Sequence, residues 1–216
     1  SAMAWEWGLN NDNGTILNIT DASKTYTKHS TTDKALGIIN ANSSTLTAND
    51  IVLDVSSDSN ETVGFFNDSG STYTGKNMAI TVNGGKGGAV LVVGIQNQSI
   101  GANAASNFTA GDIKMNLTGY GSELYGILNG SHSTGQGGNN AVDFKAGNIT
   151  IEATNDSNLI MITNKQGTAA GSTFTADDIN ITGSGKGYIV GIENQTSNPV
   201  SYTHLRAHET WRNLVC

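Results

Sequence analysis

The sequence predicts an all-β fold: a single-stranded parallel β-helix of about six coils, 27–35 residues each, with essentially no α-helix. Three observations carry this reading. Two short motifs alternate along the chain at a period of about 30 residues, apolar residues within each motif recur every second position, and no segment offers apolar positions at i, i+3 and i+4. A unit of that length cannot bury its apolar side alone, whereas stacked copies make one continuous core.

The first motif is an aromatic residue or Leu followed, five residues later, by Ile or Met. It pairs Leu46 with Ile51, Tyr73 with Met78, Phe108 with Ile113, Phe144 with Ile149 and Phe174 with Ile179, and Asn or Asp commonly stands just before the Ile or Met. Ile113, Met115 and Leu117 then alternate with Lys114 and Asn116, the signature of a half-buried strand. The second motif reads apolar-Gly-apolar-x-Asn and ends in Asn11, Asn40, Asn67, Asn97, Asn129 and Asn194. A seventh copy, ending in Asn164, carries Met161 in place of Gly. The steps from each asparagine to the next are 29, 27, 30, 32, 35 and 30. In each copy the bulky residue, the following Ile or Phe and the Asn are spaced by two, so all three are expected on one side of an extended strand. The seven asparagines then stack as a structural ladder, each amide bonding to its counterparts above and below. Asn also tolerates the left-handed turn conformation. The plain alternative is a set of ordinary exposed turn residues.

Composition narrows the function classes. Of 216 residues, 37% are hydrophobic and 13% charged, while 27 are Gly and 26 Asn, so polarity rests on uncharged side chains. No apolar run reaches the length of a membrane-spanning helix. Cys216 is the sole cysteine, which excludes an internal disulfide. A net charge of -7 repels a phosphate backbone, so nucleic acid is not an expected partner.

The stretch beyond Pro199 differs from the rest. It holds both arginines and the only cysteine, and Val200 to Thr210 resembles the translation of a transposase-type sequencing adaptor. His204 and His208 have the spacing of a metal-ligand pair on a helix, but the adaptor resemblance takes precedence. The reading is therefore a solenoid fragment over 1–199, incomplete at both ends, and a non-native tail over 200–216 that is disordered or poorly packed.

Within 1–199 the step from each first-motif Ile or Met to the next ladder Asn is nearly fixed, at 16, 19, 16, 15 and 15, whereas from Asn to the following Ile or Met it is 11, 11, 16, 20 and 15. Length variation thus concentrates at one corner, where a constant scaffold leaves room for binding. The two longest insertions, Gln98 to Asn107 and Gly130 to Asp143, should form one polar protrusion. Candidate binding residues there are Gln98, Asn103, Asn107, Ser131, His132, Gln136 and Asn139. Insertions tolerated without any ligand are the competing reading.

Catalytic chemistry is hard to find. Gly84-Gly85-Lys86-Gly87-Gly88 lacks the ending of a phosphate loop and is read as a turn. Asp177-Asp178 and Asp54 with Asp58 are the nearest approaches to acidic pairs, and Asp112, Asn148 and Asp178 occupy equivalent repeat positions better suited to starting a strand. His29 and His132 stand alone in polar stretches. No catalytic residue, cofactor or metal site is assigned. Asn-x-Ser/Thr triplets such as Asn13-Gly14-Thr15 are formal glycan acceptors, at a frequency chance supplies in so Asn- and Thr-rich a chain.

The Phe-Thr-Ala-Gly-Asp-Ile-type strand of 108–113 and 174–179, the Gly-Ile-x-Asn strand and the scarcity of Cys and Pro resemble the passenger domains of Gram-negative autotransporter adhesins. The resemblance covers residues 5–198 and is one of repeat style. It implies a right-handed parallel β-helix, exported through a C-terminal outer-membrane translocator not contained in this chain. It also implies display on the cell surface for adhesion to a protein or glycan of a host or neighbouring cell. Near absence of Cys suits an oxidising periplasm. A polysaccharide-active β-helix, lyase or glycoside hydrolase, is the alternative, and an ice-binding solenoid bearing Thr-x-Thr on successive coils a minor one.

Overall fold

The computed structural model describes residues 5–87, 90–101, 104–131, 140–165, 171–196, 198–209 and 214–215. Each winding contributes three short strands. Trp5–Asn11 (β1), Ile16–Asn18 (β2) and Ser23–Ser30 (β3) form the first, and Lys34–Asn40 (β4), Thr45–Thr47 (β5) and Asp50–Ser57 (β6) the second. Thr62–Asn67 (β7), Thr72–Thr74 (β8) and Met78–Gly84 (β9) form the third, and Val92–Asn97 (β10), Ser106–Thr109 (β11) and Ile113–Thr118 (β12) the fourth. Glu123–Asn129 (β13), Val142–Lys145 (β14) and Ile149–Asn155 (β15) form the fifth, and Asn158–Lys165 (β16), Thr173–Thr175 (β17) and Asp178–Gly185 (β18) the sixth. Ile189–Gln195 (β19), Val200–Ser201 (β20) and His204–Glu209 (β21) add a further turn, and Leu214–Val215 (β22) a last strand.

Every third strand pairs in parallel with its counterpart one winding on, giving three sheets: one led by β1, one by β2 and one by β3. Among the described residues there is no helix. The molecule is a parallel β-solenoid. Register aligns equivalent residues: Ile51, Met78, Ile113, Ile149 and Ile179 form one column, and Leu46, Tyr73, Phe108, Phe144 and Phe174 another. Rings in the second column stack at 5.1 Å between Phe108 and Phe144 and 4.7 Å between Phe144 and Phe174. Phe65 reaches across from β7 and meets Phe108 edge to face at 5.1 Å. Such pairs each add about 0.5–1.5 kcal/mol beyond the area they bury.

The second motif is built differently from its simple alternation. Ile38, Phe65, Ile95, Ile127 and Ile162 point into the core, but Leu36, Val63, Val93, Tyr125 and Ile160 belong to a separate apolar cluster with Leu128. The bulky residue and the Ile are therefore on opposite faces, contrary to the period-two expectation. The reason lies at the glycine. A Cβ on Gly94 would lie 2.5 Å from the Gly126 carbonyl oxygen and 2.6 Å from Met115 Sδ, and Gly37, Gly64 and Gly126 are hemmed in alike. The Gly and the Ile after it both face inward, so alternation resets there. Met161 is the informative exception: it lies in the core opposite Gly183, whose missing side chain leaves room for it. Volume removed from one wall is returned by the other.

Where the tail is described, it pairs with the stack. β20 lies on β17, β21 on β18 and β22 on β19, because Leu205 and Ala207 continue the apolar alternation of Ile179 and Ile181. Its cover is thin, since an outermost layer has a neighbour on one side only: Leu205 and Ala207 are half-buried, and His204, Arg206 and His208 exposed.

Gly94→Ala should destabilise the solenoid by about 1–3 kcal/mol, because neither the backbone carbonyl nor the packed Met115 can give way freely. Equilibrium denaturant unfolding measures it.

Candidate functional site

The corner between the β1-led and β2-led sheets holds both the asparagines and the insertions. Asn11 Nδ2 donates to Asn40 Oδ1 at 2.9 Å, Asn40 to Asn67 at 2.9 Å, and Asn67 to Asn97 at 2.9 Å. The series continues from Asn97 to Asn129 at 2.9 Å, Asn129 to Asn164 at 2.8 Å and Asn164 to Asn194 at 3.1 Å. All donations run the same way along the axis. The second amide proton goes to backbone carbonyls at the corner, as from Asn40 to Thr72 at 3.0 Å and from Asn97 to Asp143 at 3.1 Å. Asn11, Asn40, Asn67, Asn97, Asn129 and Asn164 are buried, and Asn194 is exposed. Positive φ falls not on the ladder but two and three residues after it, on Asn13 with Gly14, Asn42 with Ser43 and Ser69 with Gly70. Two consecutive left-handed residues make the tight turn that the first three windings share.

Truncating a middle rung orphans its neighbours. Asn97→Ala deprives Asn67 of its acceptor and Asn129 of its donor, and at about 1–3 kcal/mol per stranded buried group the loss should reach about 3 kcal/mol or more. Asn194→Ala strands only the Asn164 donor and should cost less, about 1–2 kcal/mol. Parallel denaturant unfolding of the two variants compares them.

In the fourth, fifth and sixth windings longer connections, 98–105, 130–141 and 166–172, take the place of that turn, whereas the connection between β19 and β20 is again only 196–199. The structure does not display the candidate residues alike. Gln98 is buried and its Oε1 accepts from Gln96 Nε2 at 2.8 Å, so it braces the corner rather than facing solvent. Ser131 is also buried. Asn107 is half-buried on β11 and offers its backbone carbonyl to Asn67 at 3.2 Å. Asn103, His132, Gln136 and Asn139 lie outside the described residues.

One group at this corner has no counterpart in the sequence reading. Asp68 Oδ1 accepts the Ser69 N–H at 2.6 Å and the Ile100 N–H at 3.1 Å, tying the third-winding turn to the start of the first insertion. Ser69 Oγ donates to the Ile100 carbonyl at 2.9 Å, and Ser99 Oγ accepts the Gly70 N–H at 3.0 Å. Burial pushes the Asp68 carboxyl above the ordinary carboxylate range, and hydrogen bonds from Ile100, Gln98 and Ser69 oppose that rise. A carboxyl raised in the folded state favours folding below its unfolded value of about 3.9, and that contribution disappears as pH climbs through the folded value. Asp68→Asn keeps an acceptor oxygen without the charge. Its stability relative to the parent should therefore rise between about pH 3 and pH 7, as read from melting temperatures across that range.

A second ladder runs along the corner between the β2-led and β3-led sheets. Asp50 Oδ1 accepts the Asn77 N–H at 3.2 Å, Asn77 Oδ1 the Asp112 N–H at 2.9 Å, Asp112 Oδ1 the Asn148 N–H at 2.8 Å, and Asn148 Oδ1 the Asp178 N–H at 3.1 Å. These side chains start the strands of the third sheet, the role their repeat position suggests, and each uses one oxygen for it. The outer face beyond them mixes residue types: the column Thr27, Asp54, Thr81, Asn116, Glu152 and Thr182 is not a Thr array. His29 Nε2 lies 3.2 Å from Asp54 Oδ1, and His204 Nδ1 2.9 Å from Asp178 Oδ1. Gly85 and Gly87 form part of the turn after β9, pressed so closely on Asp58 that a Cβ at Gly85 would fall 2.2 Å from it. Among the described residues no three His, Cys, Asp or Glu side chains are grouped to hold a metal ion.

No known protein family, characterised protein or solved structure matches the chain.

Proposed function

We propose that this chain is part of a surface-displayed adhesive rod, the passenger segment of an autotransporter-like secreted protein, with residues 200–216 a non-native addition. The observation that carries the reading is the division of labour within each winding. Buried amides and apolar columns hold an invariant interior, while consecutive windings lengthen the same corner at 98–105, 130–141 and 166–172. Such an edge repeats along one side of the rod, and repetition suits many weak contacts with a cell surface better than a single deep site. Protein or glycan of a host or neighbouring cell is the partner class. One carboxylate oxygen each of Asp50 and Asp112 accepts a backbone N–H of the next winding, a use that starting a strand explains without catalysis.

Beads coated with the full chain should adhere to epithelial or bacterial cells above albumin-coated beads, and replacing the described insertion residues Ile100 and Gly101 should weaken that adhesion. Adhesion no greater than that of albumin beads on either cell type sinks the adhesive role. The native gene read past Pro199 tests the export role separately: barrel-forming strands there support it, and a complete reading frame without them removes it.

A further inference from the structure

At the corner between the β3-led and β1-led sheets the chain spans 58–61 after β6 and 119–122 after β12, but 85–91 after β9. The longer connection begins on glycines for a steric reason. A Cβ on Gly85 would fall 2.2 Å from Asp58, and one on Gly87 2.8 Å from the Asp58 carbonyl oxygen, so backbone lies directly on backbone there. The N–H groups of Gly85 and Gly87 donate to the carbonyls of Ser57 and Asp58. Lys86, between the two glycines, is exposed, and its Nζ stands 5.4 Å from the centre of the Tyr120 ring of the next winding. Ser56 and Asn83, register partners on the outer face of the β3-led sheet, lie alongside. With Asp58 these residues line a recess of about 530 Å³, inside the range of about 300–1,000 Å³ usual for small-molecule sites.

We propose that this recess binds an uncharged saccharide. Its lining disfavours the other ligand classes in turn. Tyr120 is its one large apolar surface, so an apolar ligand would find no enclosure. The glycine turn does not cradle a phosphate, because the N–H groups of Gly85 and Gly87 already have acceptors. One ammonium, Lys86, and one carboxylate, Asp58, balance in charge, which favours neither an anion nor a cation. What remains is a mixture of hydrogen-bonding types: Lys86 only donates, Asp58 only accepts, and Ser56 and Asn83 do both. Adjacent sugar hydroxyls, each donor and acceptor at once, match such a set. Tyr120 adds a flat surface for the C–H face of a pyranose ring. The recess lies at a different corner from the insertions, so it stands or falls separately from them.

An array of immobilised neutral and acidic oligosaccharides, probed with the fluorescently labelled full chain, tests this. The parent should be retained on one or more neutral oligosaccharides. Asn83→Ala/Lys86→Ala should lower that signal about ten-fold or more, the loss expected for one well-placed polar contact. Tyr120→Leu, which keeps bulk but not the planar face, should lower it as well and serves should the double variant not fold. Lys114→Ala/Asn116→Ala makes a like change elsewhere on the outer face of the same sheet and should bind as the parent does. Replacing Ile100 and Gly101 should also leave the signal unchanged, so a failure of cell adhesion with array binding intact sinks the adhesive role and not this recess. Retention on no neutral oligosaccharide, retention on acidic ones alone, undiminished binding by folded recess variants, or an equal loss in the Lys114/Asn116 control would each overturn the proposal.

Discussion

The structure depends on amides that only a neighbouring winding can satisfy. Asn40, Asn67, Asn97, Asn129 and Asn164 are shut away from solvent, and each donates to the next winding while accepting from the one before. A buried polar group left unpaired is costly, so this series holds only when strands align residue for residue. Slippage by one residue would expel the amides from the corner and turn the apolar columns outward together. The ladder and the Phe column therefore enforce the same register from different corners.

With register fixed in this way, the corners are free to differ. Between the first and second sheets the turn is tight in the first three windings and extended in the next three, with Asp68 joining the two regimes. Between the second and third sheets, Asp and Asn side chains bind backbone N–H groups of the next winding, so variation there would break bonds directly. The corner that holds the buried amides is thus also the one that tolerates extra chain, because the ladder closes the core beneath it.

Much of this was legible in the sequence. Spacing alone aligned the seven asparagines and placed the Ile and Phe columns, since those residues obey a strict two-residue alternation within strands. Where the backbone departs from alternation, the reading failed: the inward turn at Gly94 sends Val93 and Ile95 to opposite faces, and no pattern of hydrophobicity marks that. The first winding breaks the motif because its corner is longer: the five-residue offset from Leu17 falls on Ala22, whereas Lys24 is the residue that pairs with Ile51. Gln98 looked like a loop residue but its amide is sequestered against Gln96. Burial of that kind comes from how an insertion folds back, which composition does not encode.

Met161 and Gly183 face each other within one turn of the coil, just as Gly94 faces Met115 within another. Matching partners thus travel together, and the natural module for duplication, loss or recombination is a whole turn rather than a strand. Transplanting β16 alone into the place of β10 would drive a methionine into space held by Met115 and Leu117. Exchanging complete turns would keep each pair intact. Such an architecture can lengthen or shorten by genetic rearrangement without redesigning its interior.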